Sequence, residues 1–207
     1  DGVTSTSPTN AYVDEANSRA VLNLSRNDTR LLYRSVPPLT SGDFRVTVKG
    51  QFNNATSNCE MNIYLANGLP APGELHAGTV LSYGFFGGGC SNNFDHIKAS
   101  WTYPDGESYQ THQGYVCNGS NGTIIPISRG VPYTAQLEIL SSQGSATLLV
   151  YDGAGNLVGT LSGPAGFQPD FGTLDTLAVG LLDRDDWPTC SGYVDSVRIE
   201  IISPPTV

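Results

Sequence analysis

Trp101, Tyr103, Tyr109 and Tyr115 fall close together around one expected hairpin, with His112 among them. Sugar rings stack their C–H faces on aromatic planes while nearby polar groups fix the hydroxyls, so these five residues form a candidate carbohydrate-binding group for a glycan or polysaccharide. Parity offers a competing reading. Ile97, Ala99, Trp101 and Tyr103 alternate along one strand pattern and share a side, which favours Trp101 as a core residue.

Catalytic chemistry finds less support. Gln110-Thr-His112 puts an amide and an imidazole on one side of an extended segment, with Tyr115 further along. A polysaccharide lyase needs such a base beside a group that neutralises a uronate carboxylate. No further cationic element accompanies the pair, and ordinary polar residues on an exposed strand explain it as well. The six glutamates (15, 60, 74, 107, 138 and 200) form neither Glu-x-Asp-x-x-Glu nor Glu-x-Asp-x-Glu. Those patterns place an acid and a nucleophile about 5 Å apart on one strand, so a retaining glycosidase of that kind is not expected.

Asp183-Arg-Asp185-Asp186 is the densest acidic cluster. Carboxylates at alternate loop positions suit Ca2+, although Arg184 partly neutralises them and a solvated acidic turn is the simpler reading. Phe85-Phe-Gly-Gly-Gly-Cys90 reads as a strand-end turn, since no Lys-[Ser/Thr] follows to make a phosphate loop.

Cysteines stand at 59, 90, 117 and 190, an even number without Cys-x-x-Cys spacing. Two disulfides formed in an oxidising compartment fit this better than zinc or a redox dithiol. If the strands from Thr79, His96 and Tyr109 make a meander, Cys90 and Cys117 share one sheet end. That favours Cys90–Cys117 with Cys59–Cys190, the other two pairings staying open. Five Asn-x-Ser/Thr sequons, at Asn23, Asn27, Asn54, Asn118 and Asn121, agree with a secreted, glycosylated chain, although a composition rich in Asn, Ser and Thr produces some by chance.

The elements that must position these residues are strands. No amphipathic helix is legible, while period-two alternation recurs. Phe44, Val46 and Val48 alternate with Arg45, Thr47 and Lys49, and Met61, Ile63 and Leu65 repeat the pattern. Further segments run over 79–86, 96–103, 109–117, 134–140, 145–151, 157–161, 176–182 and 193–201. Turn chemistry separates them at Pro104-Asp-Gly, Ser142-Gln-Gly-Ser and Asp152-Gly-Ala-Gly-Asn. The expectation is an all-β, two-sheet antiparallel β-sandwich (jelly roll), disulfide-stabilised, over residues 11–202. A mobile N-terminal arm over 1–10 and a Pro-containing C-terminal tail or stalk over 203–207 flank it.

The 207 residues carry a formal net charge of −9, with ten Lys and Arg scattered singly. Nucleic acid and anionic membrane surfaces need clustered positive charge, so neither is an expected partner. No run reaches the roughly 18 apolar residues of a membrane span.

Three stretches are similar to the concanavalin A-like lectin/glucanase superfamily, which includes laminin-G-like domains. The first is Arg30-Leu-Leu-Tyr-Arg-Ser35 followed by Ser41-Gly-Asp-Phe-Arg-Val-Thr-Val48. The second joins Tyr133-Thr-Ala-Gln-Leu-Glu-Ile139 to the hairpin over 146–160, and the third is the terminal Tyr193-Val-Asp-Ser-Val-Arg-Ile-Glu-Ile201. The resemblance implies two stacked antiparallel sheets, one concave, binding glycans in a groove or at loop tips, often with calcium. The expected function is an extracellular, non-catalytic carbohydrate-binding module. The alternatives are a structural or adhesive subunit self-assembling through sheet edges or the N-terminal arm, and a lyase or hydrolase on the same scaffold.

Overall fold

In the segment from Asp43, Phe44, Val46 and Val48 are buried to 2% exposure or less, while Arg45 and Thr47 are half-buried and Lys49 is exposed. Fully burying such a side chain stabilises by about 1.5–3 kcal/mol, and a residue-by-residue alternation is what commits the segment to a strand. The computed structural model describes residues 2–4, 11–14, 16, 18–24, 29–39, 43–55, 59–66, 79–86, 95–102, 108–110, 125–163, 174–183 and 190–203.

Fifteen strands are described: β1 (Gly2–Thr4), β2 (Ala11–Asp14), β3 (Arg19–Leu24), β4 (Thr29–Leu39), β5 (Asp43–Ala55), β6 (Cys59–Ala66), β7 (Thr79–Phe86), β8 (Asp95–Thr102), β9 (Ser108–Gln110), β10 (Ile125–Ile127), β11 (Pro132–Leu140), β12 (Ser145–Tyr151), β13 (Leu157–Ser162), β14 (Leu174–Asp183) and β15 (Cys190–Ser203). A first sheet runs β1-β4-β14-β6-β7-β8-β10, with β9 also on β8, and a second runs β13-β12-β11-β5-β15-β3-β2. Every pairing is antiparallel. Among the described residues no helix is long and apolar enough to cross a membrane.

Register stacks the apolar sides into a core. Leu137 stands opposite Val46 on one flank and Leu148 on the other, and Ala135 lies between Val48 and Val150. All six are fully buried. Tyr133, opposite Gly50, is buried too, and its hydroxyl accepts the Ser128 N–H at 2.9 Å, so the ring enters the core without stranding its polar end.

Two of the three expected turns form, and the third, Pro104-Asp-Gly, lies outside the described residues. Gly144, at φ 57°, ends the 3-10 turn Ser141–Gln143 that links β11 to β12. Gly155, at φ 85°, sits in the turn between β12 and β13, where the Asp152 carboxylate accepts the N–H groups of Ala154 and Asn156, each at 2.9 Å. Glycine meets no Cβ penalty in this left-handed region.

Two differences from the sequence reading stand out. Gly2–Thr4, inside the expected mobile arm, pair with Leu31–Tyr33 of β4, because an open sheet edge offers any extended segment a row of backbone partners. Ser203, assigned to the tail, is the last residue of β15 and pairs with Asp43.

Candidate functional site

Ile125 shows which way the first sheet faces. It is 3% exposed, and a Cβ built on Gly159 of the second sheet would lie 2.7 Å from its Cγ1. Its register partner on β8 is Ile97, in a row that continues through Phe85, Met61, Leu181 and Arg30. Two residues along comes the row Ala99, Tyr83, Ile63 and Val179, and then Trp101, Leu81, Leu65, Leu177 and Arg34.

Tyr109 is the register partner of Trp101. The pairing of β8 with β9 thus brings these two candidate positions together. Tyr103, His112 and Tyr115 lie outside the described residues, as do Cys90, Cys117, Asn27, Asn118, Asn121, Asp185 and Asp186. The strand expected over 109–117 is described only as Ser108–Gln110.

In β10, Pro126 is exposed between two buried isoleucines. One register row crosses seven strands: Gly2, Tyr33, Ala178, Tyr64, Ser82, Ser100 and Gln110. It holds two tyrosines, two serines and an amide, and no charged residue. Beside it runs Thr4, Leu31, Gly180, Asn62, Gly84 and Lys98, and beyond that Thr29, Leu182, Glu60, Phe86, His96 and Pro126. On its other flank Ser35 is exposed, while its partner Thr176 is 6% exposed and donates its hydroxyl to Asp175 Oδ1 at 2.9 Å. Sequence reasoning missed Tyr33 and Tyr64, because each stands alone in its segment and only pairing through β14 makes them neighbours.

The outward side of the second sheet is a network of paired charges. Arg45 donates from Nε at 2.9 Å and from a terminal nitrogen at 2.6 Å to Glu138 Oε1, which also accepts from Gln136 at 2.9 Å. Arg198 pairs with Glu200 at 2.9 Å and Lys49 lies 3.9 Å from Asp195. Tyr193 donates to Gln51 at 2.6 Å, and the Arg19 guanidinium sits 4.6 Å from the centre of its ring. Carboxylates engaged in this way are positioned for structure, not for acid–base work.

Asn23 and Asn54, two of the sequons, flank Ser191 in register on this second sheet. Asp183 ends β14 opposite Cys59. Among the described residues there is no group of three or more His, Cys, Asp or Glu that could hold a metal ion. Cys59 begins β6 and Cys190 begins β15, the latter opposite Ala55.

No protein-family model matches the sequence, and no curated protein does. Solved structures do. A legume lectin-like domain from Entamoeba histolytica superposes with a TM-score of 0.64 at 10% identity, covering 98% of this chain and 90% of that one. The Emp47p carbohydrate recognition domain gives 0.62 at 12% identity, over 96% and 86%. The Lotus tetragonolobus seed lectin gives 0.59 at 13% identity, over 98% and 94%. Identities this low establish architecture and no ligand. The chain has the concanavalin A-like jelly-roll fold that lectin-like and carbohydrate recognition domains share.

Proposed function

We propose that the chain is an extracellular, non-catalytic carbohydrate-binding module. The observation that carries this reading is the scaffold shared with carbohydrate recognition domains, one of which superposes over 96% of this chain. Aromatic planes bind the apolar faces of sugars, while hydroxyl and amide groups fix their orientation. The paired charges across the second sheet make that side a solvated wall. A glycan array together with affinity gel electrophoresis in soluble polysaccharides is the test. Retention on at least one carbohydrate is expected, and silence across the panel would sink the proposal.

A second reading, an adhesive subunit joined edge to edge, is favoured by β13. This edge strand of the second sheet exposes Leu157 to 55% and Val158 to 42%, the kind of unprotected edge that recruits another strand. Sedimentation velocity separates the two readings: the module runs as a monomer, the subunit as a concentration-dependent assembly.

A further inference from the structure

We propose that the chain pairs with a second copy of itself along the open half of β15, antiparallel and centred on Ile199, so that the second sheets of the two copies join edge to edge. The inference goes beyond the carbohydrate-binding reading and does not depend on it.

On one flank β15 pairs with β5 from Cys190 to Ser203, but on the other it pairs with β3 only from Cys190 to Val194. Among the described residues no strand pairs with Ser196 to Ile202 on that second flank, so a row of backbone donors and acceptors is left open. The side chains along it are apolar on the inward side. Val197, Ile199 and Ile201 stand opposite Val48, Val46 and Phe44, which are buried to 2% exposure or less. Directly opposite residues of an antiparallel pair share a side of the sheet, so all three turn inward. Yet Val197 and Ile199 are only half-buried, and Ile201 is 65% exposed. On the far flank of β5 the matching residues Ala135, Leu137 and Ile139 are fully buried. The cover of the core runs out at β15, beside an unpaired edge.

Charge complementarity points to the occupant. Arg198 and Glu200 flank Ile199 on the outward side and touch at 2.9 Å, with the arginine side chain 74% exposed. A slip of one residue sets inward side chains against outward ones, so an added copy has registers two residues apart to choose from. Centred on Ile199, the copy brings its Glu200 opposite Arg198 and its Arg198 opposite Glu200. Inside, Val197 meets Ile201 of the copy, and Ile199 meets its own counterpart. Centred instead on residue 198 or residue 200, the pairing sets arginine against arginine or glutamate against glutamate. Opposite charges across strands attract and like charges repel, so one register is favoured and its two neighbours are opposed. The contact is isologous and closes at two copies. It is also short, well under the roughly 1,200 Å² of a standard interface, so dilute protein stays monomeric and pairs form as concentration rises. Copies held side by side on a multivalent ligand would meet at an effective concentration in about the millimolar range.

Sedimentation equilibrium of the full chain, from about 10 µM to about 1 mM, spans the weak-affinity range such a contact implies. The average mass should rise from one chain toward two and go no further. Arg198→Glu sets a glutamate opposite Glu200 of the copy and should weaken pairing about tenfold. Adding Glu200→Arg to that variant restores unlike charges and should restore pairing. Val158→Lys, on β13, should leave it unchanged. Amide hydrogen exchange of the unsubstituted protein is the second measurement: residues 197–201 should exchange more slowly as concentration rises, and 157–162 should not. Should the charge variants fail to fold, exchange carries the decision. A single-chain mass and unchanged exchange at every concentration, or indifference to Arg198→Glu in folded protein, overturns the inference. Growth past two copies, or pairing lost in Val158→Lys, overturns it in favour of assembly through β13. None of these results bears on carbohydrate binding, which the glycan panel decides separately.

Discussion

Ile125 of the first sheet occupies the space that a side chain at Gly159 of the second would need. A Cβ there would meet Ile125 Cγ1 at 2.7 Å and both Cδ1 and Cγ2 at 3.0 Å. Three atoms of a buried, β-branched side chain crowd the position at once, so rotation of one group does not relieve it. Gly159→Ala is expected to destabilise by about 1–3 kcal/mol, the usual effect of overpacking. In a thermal or denaturant unfolding cycle, Ile125→Ala should make the same substitution far less harmful. Strict additivity of the two changes would contradict this close contact.

Asp43 is a buried carboxylate, 6% exposed, at the start of β5. It accepts the Ser142 N–H at 3.1 Å and the Ser142 hydroxyl at 2.8 Å, so it holds the turn between β11 and β12 from ninety-nine residues away. Asp43→Ala leaves the Ser142 donors without this partner, and hydrogen bonds to a charged group are each worth about 1.5–3 kcal/mol. The expected result is a clear drop in melting temperature, larger than for Ser142→Ala, which removes the hydroxyl alone.

The Asp152 carboxyl is held below its ordinary value of 3.8, first by the Asn156 side-chain amide and then by the backbone N–H groups of Asn156, Ala154 and Gly155. A depressed folded-state value means that the native turn favours the ionised form. The stabilisation is fully present above pH 3.8 and fades as pH falls through the lower folded value. The melting-temperature difference between the parent protein and Asp152→Ala should hold constant above that range and shrink below it. A difference that ignores pH would exclude this role.

Cys59 and Cys190 are expected to be joined. Cys190 stands opposite Ala55, which precedes Cys59 by four residues, and Cys59 stands opposite Asp183, seven residues before Cys190. Two passages between the sheets, 55 to 59 and 183 to 190, thus start and end side by side. Cys190 shares its strand parity with the buried Val194. A bond closing a loop of more than a hundred residues contributes about 4–5 kcal/mol. Peptide mapping without reduction should recover the Cys59–Cys190 pair, and a Cys59–Cys90 peptide would reject it.

Much of the architecture was legible residue by residue. Segments such as 145–151, where Ala146, Leu148 and Val150 are buried and their neighbours are not, carry their own burial pattern, and 79–86 was bounded correctly. Strands without clean alternation were less visible. β10 has only three residues, and β4 contains Pro37 and Pro38, which obscure the pattern although an antiparallel strand accommodates them at a bulge or free position.

The candidate site divides along the same line. Alternation within β8 assigns Trp101 to the side of Ile97 and Ala99, and this is readable from the chain, because side-chain direction follows from local backbone geometry. That Tyr109 pairs with it, or that Tyr33 and Tyr64 come within two strands of each other across Ala178, depends on which strands pair and in what register. Those choices are made by the whole core as it closes, between residues more than a hundred positions apart, and no local pattern encodes them.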